Sequence, residues 1–136
     1  MIRQYSLAKD GAKLLAPDFK VRELRCRDGS DTVMVDEVLV LLLQCIREHF
    51  GKAVTITSGY RTPTHNAKVG GAKSSQHLLG RAADIRVEGI SVEDVAAYAE
   101  RLMPDWGGVG RYPVKAGRAT GWVHVDTRQN KSRWKL

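Results

Sequence analysis

Ser74-Ser-Gln-His77-Leu-Leu-Gly80-Arg-Ala-Ala-Asp84-Ile-Arg-Val87 decides how this chain is read. Its second half, Ala82 to Val87, has the composition and spacing of a strand, whereas its first half fits neither one helix nor one strand. Gly80 between the halves can turn the chain and bring Asp84 back toward His77. A single histidine is more often structural than a ligand, but convergent imidazole and carboxylate donors change that balance. A second histidine, His124, lies in Trp122-Val-His-Val-Asp126, another strand-like stretch. If the two strands are neighbours, His77, Asp84 and His124 form a His-Asp-His set. Zinc accepts such donors tetrahedrally, and three protein ligands leave the fourth position that catalytic zinc sites keep open. Spacing alone carries this only weakly.

Outward from that stretch, Val35, Val38, Leu39, Leu42, Ile46 and Phe50 recur at three- and four-residue steps, predicting a helix over 35–50 with Gly51 as its stop. Leu41 and Leu43 widen the apolar stripe, so this helix is expected to be buried on most sides. Ala53 to Thr57 reads as a strand, Ser58 to Pro63 as a turn, and 64–68 as a short helix stopping at Gly70-Gly71. Ser91 and Asp94 open a second long helix, running to about Met103. Gly107 to Tyr112 and Trp122 to Asp126 read as the last two strands, joined by a loop carrying Gly117. Residues 1–30 read as turns with short extended pieces. No repeat or linker divides residues 1–136, so one domain is expected. Helices and strands do not alternate regularly, which predicts an α+β fold: an antiparallel sheet with helices packed mainly on one side.

The 136 residues amount to 15.1 kDa, with 43% apolar and 27% charged side chains, which excludes wholesale disorder and collagen-like structure. Cys26 and Cys45 are too few for a disulfide scaffold, and neither has a partner at CxxC spacing, which argues against a thiolate zinc site. Cys26 reads as packed rather than reactive. The longest apolar run, Val38 to Leu43, is far too short to span a bilayer. The N-terminus lacks the apolar stretch of a signal peptide, so synthesis in the cytoplasm is expected. Residues 111–136 hold seven basic and one acidic side chain against 15 and 14 in residues 1–110. Such a cationic end serves solubility or docks an anionic polymer.

Ser75-x-His77-x-x-Gly80-x-Ala82-x-Asp84 followed by Trp122-x-His124 resembles the zinc-binding pattern of the D-alanyl-D-alanine carboxypeptidase family of metallopeptidases, whose fold is shared with the signalling domain of hedgehog proteins. Phe19 to Gly29, Ser58-Gly-Tyr-Arg61, Asn66 with Gly70-Gly71, and Gly107-Gly-x-Gly-x-Tyr112 look like its small single-domain branch, so nearly the whole chain is covered. The resemblance implies a hedgehog/DD-peptidase-like fold and Zn2+ held by His77, Asp84 and His124. It implies that Arg61 faces the substrate and stabilises developing oxyanion charge, a role suited to a permanently charged multiple donor. It further implies a monomeric, endolysin-like murein peptidase, a D-Ala-D-Ala carboxypeptidase or stem-peptide endopeptidase, acting on the peptidoglycan stem peptide in the bacterial cell wall.

One departure matters. Members of that family carry Glu or Asp three residues before the last histidine, where this chain has Gly121. The nearest carboxylate, Asp126, shares a strand face with His124. Three roles stand open for it: general base, acceptor that orients His124, or ion-pair partner of Arg128. Glu23 and Asp28 are the next carboxylates to consider. Gly121 also supports the alternative of a non-catalytic zinc-binding module of the same fold that binds cell wall. A nucleic-acid-binding domain lacks any helix-turn-helix, zinc-finger or RNP-type signature. His49 suits the C-terminal end of its helix, His65 reads as exposed helix surface or cleft lining, and Trp106, Trp122 and Trp134 as core or rim.

Overall fold

The computed structural model describes all 136 residues. The first thirty residues fold as expected into short pieces: β1 (Ile2–Ser6), α1 (Leu7–Asp10), β2 (Leu14–Ala16), β3 (Phe19–Lys20) and a 3-10 turn, Val21–Leu24. β4 (Thr32–Asp36) pairs antiparallel with β1, and it corrects the helix start expected at Val35. Val33 and Val35 alternate into the core as strand residues. The Asp36 carboxylate then accepts the Val38 N–H, so α2 runs over Glu37–Phe50. That helix also buries less than its apolar content suggests. Leu43 is fully buried, but Leu41 is 64% exposed, because a helix packed on one side hides only one face.

β5 (Val54–Ser58), α3 (Pro63–Lys68), a 3-10 turn (Gln76–Leu79), β6 (Ala82–Val87), α4 (Val92–Leu102), β7 (Gly108–Tyr112), β8 (Trp122–Asp126) and β9 (Ser132–Lys135) complete the chain. Five strands form the main sheet in the order β5-β6-β8-β7-β9. Its pairs are antiparallel except β7 with β9, which is parallel. The sheet is therefore mixed, and β8 is not the last strand. Ser-Arg-Trp-Lys has no apolar alternation to announce β9; it is an edge strand specified by its pairing with β7.

The α+β class holds. α2 and α4 pack on one face of the sheet and on each other, over Ala83, Ile85, Val109, Val123 and Val125, all buried. Strand alternation sends the intervening side chains to the other face. There Asp84 stands directly opposite His124, and Ala82 opposite Asp126. The core thus occupies one side of the sheet, and the polar residues singled out in the sequence collect on the other.

Candidate metal centre

His77 reaches that polar face from the 3-10 turn before β6. Ser75 opens the turn by accepting the His77 N–H, and Gly80 closes it at φ +72°, a left-handed conformation that side chains with a Cβ rarely adopt. The turn predicted at Gly80 is the device that brings His77 within 3.3 Å of Asp84, Nε2 to Oδ1. His124 Nδ1 lies 3.1 Å from the same oxygen. Donor atoms of the three residues all fall within 4.8 Å of one another, and all three residues are buried.

The outer edges of both rings are committed. His77 Nδ1 donates to the Gly59 carbonyl at 2.7 Å, which leaves Nε2 facing Asp84. His124 Nε2 lies 2.7 Å from Asp126 Oδ2, which leaves Nδ1 turned to Asp84. Two imidazole nitrogens and one carboxylate oxygen aimed at one point, each ring braced from behind, make a donor set that fits zinc. Burial disfavours protonation of His124, yet the carboxylates of Asp126 and Asp84 on its two edges hold it above the usual imidazole range. Burial likewise opposes ionisation of Asp84, but hydrogen bonds from His124 and His77 and their charge keep its carboxyl well below the usual carboxylate range.

Arg61 lies beside the centre, in the loop after β5. Its Nε donates to Ser58 Oγ at 3.0 Å, Nη1 to Asn66 Oδ1 at 3.2 Å, and Nη2 to Asp84 Oδ2 at 3.3 Å. The guanidinium is thus aimed by Ser58 and Asn66 at the edge of the cleft, where it lines the wall with His77, Asp84 and His124.

Asp126 is placed differently. It is fully buried, outside the lining of the cleft, and touches His124 through the ring edge facing away from Asp84. Burial opposes its ionisation, but hydrogen bonds from His124 and Arg128 hold its carboxyl far below the usual range. Arg128 grips it with Nη2–Oδ2 at 2.6 Å and Nε–Oδ1 at 2.8 Å. Asp84 is the one carboxylate side chain lining the cleft. Glu23 accepts the Lys20 N–H, and Asp28 binds Ser30 and Thr62, so neither reaches it. At Gly121 a Cβ would lie 2.8 Å from Val92 Cγ2 and 2.7 Å from the Tyr112 carbonyl, on the α4 side of the sheet. A side chain there would start away from His77, Asp84 and His124.

Sequence reasoning put Trp122 and Trp134 at core or rim but missed the strand that places Trp134. Trp134, carried by β9, sets its ring 5.0 Å from that of His124 and donates through Nε1 to the Tyr112 hydroxyl at 2.9 Å. It crosses β7 at Gly110, where any Cβ would meet the indole; the glycine was the available signal. Tyr112 stacks on Trp122, with ring centres 4.8 Å apart, and Arg118 lies over both rings. His49 stacks on Tyr98 at 3.7 Å, remote from the cleft. Trp106 packs against the core.

A family model described as Peptidase M15 matches residues 17–126. The chain is 31% identical over 134 residues to the probable peptidoglycan L,D-endopeptidase MepK of Haemophilus influenzae, covering 91% of this chain and 67% of that protein. It is 36% identical over 81 residues to the peptidoglycan L,D-endopeptidase MepK of Escherichia coli, covering 56% of this chain and 41% of the relative. A 44-residue segment is 46% identical to the zinc D-Ala-D-Ala carboxypeptidase of Streptomyces albus G, covering 32% and 17% of the two chains. With four-fifths of its length matched by the family model and His77, Asp84 and His124 assembled in one cleft, the chain belongs to the peptidase M15 family.

Proposed function

We propose that the chain is a zinc-dependent murein peptidase of hedgehog/DD-peptidase-like fold, acting as a single domain on the peptidoglycan stem peptide. The observation that carries this is the convergence of His77, Asp84 and His124 on one cleft in a peptidase M15 chain. His77 Nε2, His124 Nδ1 and Asp84 would hold the zinc ion, which when bound polarises a scissile carbonyl and makes water acidic enough to attack near neutral pH.

The chain's own residues prepare that site. The Gly59 carbonyl and Asp126 select the ring tautomers that present His77 Nε2 and His124 Nδ1. Asp126 acts through His124 as a positioning residue, a role its burial and its place behind the ring favour over that of base. Arg61, aimed by Ser58 and Asn66, supplies N–H donors where negative charge develops on the carbonyl oxygen. Trp134, Trp122 and Tyr112 form an apolar wall along which a peptide can lie. Arg61 and Arg128 at the cleft suit an anionic wall polymer. No helix is long and apolar enough to cross a membrane.

Digestion of purified murein by the zinc-loaded chain tests the reading. Release of D-alanine marks a carboxypeptidase, and release of larger stem fragments an endopeptidase. A chelator should stop either, and zinc should restore it. Full zinc occupancy with wall binding but no released product would leave the non-catalytic zinc module instead.

A further inference from the structure

A second set of mixed donors lies in the chain. Cys26, Asp28 and His65 bring a thiol sulfur, a carboxylate oxygen and an imidazole nitrogen within 4.8 Å of one another. They come from the segment after the first 3-10 turn and from α3, so no local spacing announces them. Cys26 is completely buried, Asp28 is exposed and His65 half-buried, so the group has a solvent entry at the carboxylate.

A cysteine that only fills space keeps apolar company. Cys26 does not. Its sulfur accepts the Thr62 N–H at 3.4 Å and lies 3.9 Å from Thr62 Oγ1. That hydroxyl in turn donates to Asp28 Oδ2 at 2.9 Å. Asp28 also accepts the Ser30 N–H, and bonds from Ser30, Cys26 and Thr62 hold its carboxyl below the usual range. The His65 backbone N–H goes to Thr62, while its ring makes no hydrogen bond within the chain. An N–H on the sulfur, an ionised carboxylate and a free imidazole are the conditions under which a thiolate, a carboxylate and a nitrogen share a cation. Sulfur and imidazole together select a borderline or soft divalent ion over magnesium or calcium.

We propose that Cys26, Asp28 and His65 form a second metal site, for zinc or another thiophilic divalent cation, which ties residues 24–28 to the loop that carries Arg61. The two segments are already joined by the Tyr60 N–H to the Leu24 carbonyl at 3.0 Å. Arg61 and Asn66 turn from this loop and helix toward Asp84, whereas Thr62 and His65 turn toward Cys26 and Asp28. A cation bound here would hold the base of the loop while its tip aims the guanidinium.

Cobalt(II) titration of the full chain tests this independently of any peptidase activity, because the His77–Asp84–His124 set contains no sulfur. Wild type should develop a thiolate-to-cobalt absorption band. The band should persist in His77→Ala and in Cys45→Ser, and vanish in Cys26→Ser and in His65→Ala. Zinc analysis should show His65→Ala binding one equivalent less than wild type and losing part of the zinc-dependent rise in Tm. His65 sits half-buried on a short helix, so this variant reads out the site even where Cys26→Ser fails to fold. Absence of the band in wild type under excess cobalt, or a band that His65→Ala leaves unchanged, overturns the proposal.

Discussion

Asp126→Asn separates a positioning role from a base role more sharply than any other change. In the native chain Oδ1 accepts from the Gly108 N–H at 3.0 Å, the Arg128 N–H at 3.1 Å and Arg128 Nε at 2.8 Å. Oδ2 accepts from Arg128 Nη2 at 2.6 Å and faces His124 Nε2 at 2.7 Å. Asparagine keeps the size but turns one of these two acceptors into a donor. An NH2 at the Oδ1 position would meet three donors. At the Oδ2 position it would force Nε2 to accept, which moves the His124 proton to Nδ1 and removes the lone pair facing Asp84. Loss of such a brace costs roughly 10- to 100-fold in metal affinity, about 1.4–2.8 kcal/mol at 1.4 kcal/mol per tenfold. Breaking the pair with Arg128 adds a folding cost of about 2 kcal/mol, less than for a fully buried pair because Arg128 is partly exposed. Chelator competition gives the zinc affinity, thermal melts the stability, and murein turnover across a zinc series the activity. Weakened zinc binding with turnover recovering in excess metal is the expected result. Unchanged affinity with collapsed turnover would refute the argument and make Asp126 the base; no change in either would remove it from the site.

His77→Ala and Asp84→Ala should each lose the zinc of the cleft and the share of the zinc-dependent rise in Tm that it supplies, measured by metal analysis and melting with and without zinc; wild-type metal content in both would dismiss the ligand set. Arg61→Ala should keep zinc and lose roughly 10²-fold in turnover, with Arg61→Lys recovering only part, because a point charge cannot reproduce the guanidinium fork. Gly121→Glu should lower stability by about 1–3 kcal/mol without raising turnover, since its Cβ meets Val92 and the Tyr112 carbonyl; a gain in activity would show that the new carboxylate reaches the cleft. Arg111 binds both Glu93 and Glu100 at 2.8–3.1 Å and lowers the carboxyl pKa of each. That stabilisation is present above the unfolded carboxylate pKa of about 4.3 and fades as pH falls through the lower folded values. Arg111→Met should flatten this acid limb of a Tm-against-pH curve, and an unchanged limb would place the acid sensitivity elsewhere.

The convergence of His77 and Asp84 was legible because its determinants are local. Gly80 alone sets the turn, β6 and β8 announce themselves by composition and period, and His77 and Asp84 are separated by one turn and the start of one strand. The family resemblance supplied what spacing could not, the partnership with His124, and the register of β6 on β8 places that residue opposite Asp84. α2 and α4 followed from three- and four-residue periodicity, with only Val35 and Asp36 lost from α2 to β4, since valine suits a strand as well as a helix.

What remained hidden depends on contacts between distant segments. Ser132–Lys135 has no strand pattern; pairing with β7 makes it one, and only then does Trp134 reach His124. Sequence placed Asp126 on the face of His124 but left its three roles open, because the choice turns on which ring nitrogen it meets, a matter of side-chain rotation in the folded state. Gly121 looked like a missing acid through the family resemblance, whereas the packing of α4 makes it a position with little room for any side chain. Cys26 and His65 lie in separate segments that meet only when the loop after β5 docks on residues 24–28. Period and turn chemistry act over a few residues and survive in the sequence; ring orientation, edge pairing and inter-segment clusters arise from packing, which a linear pattern does not encode.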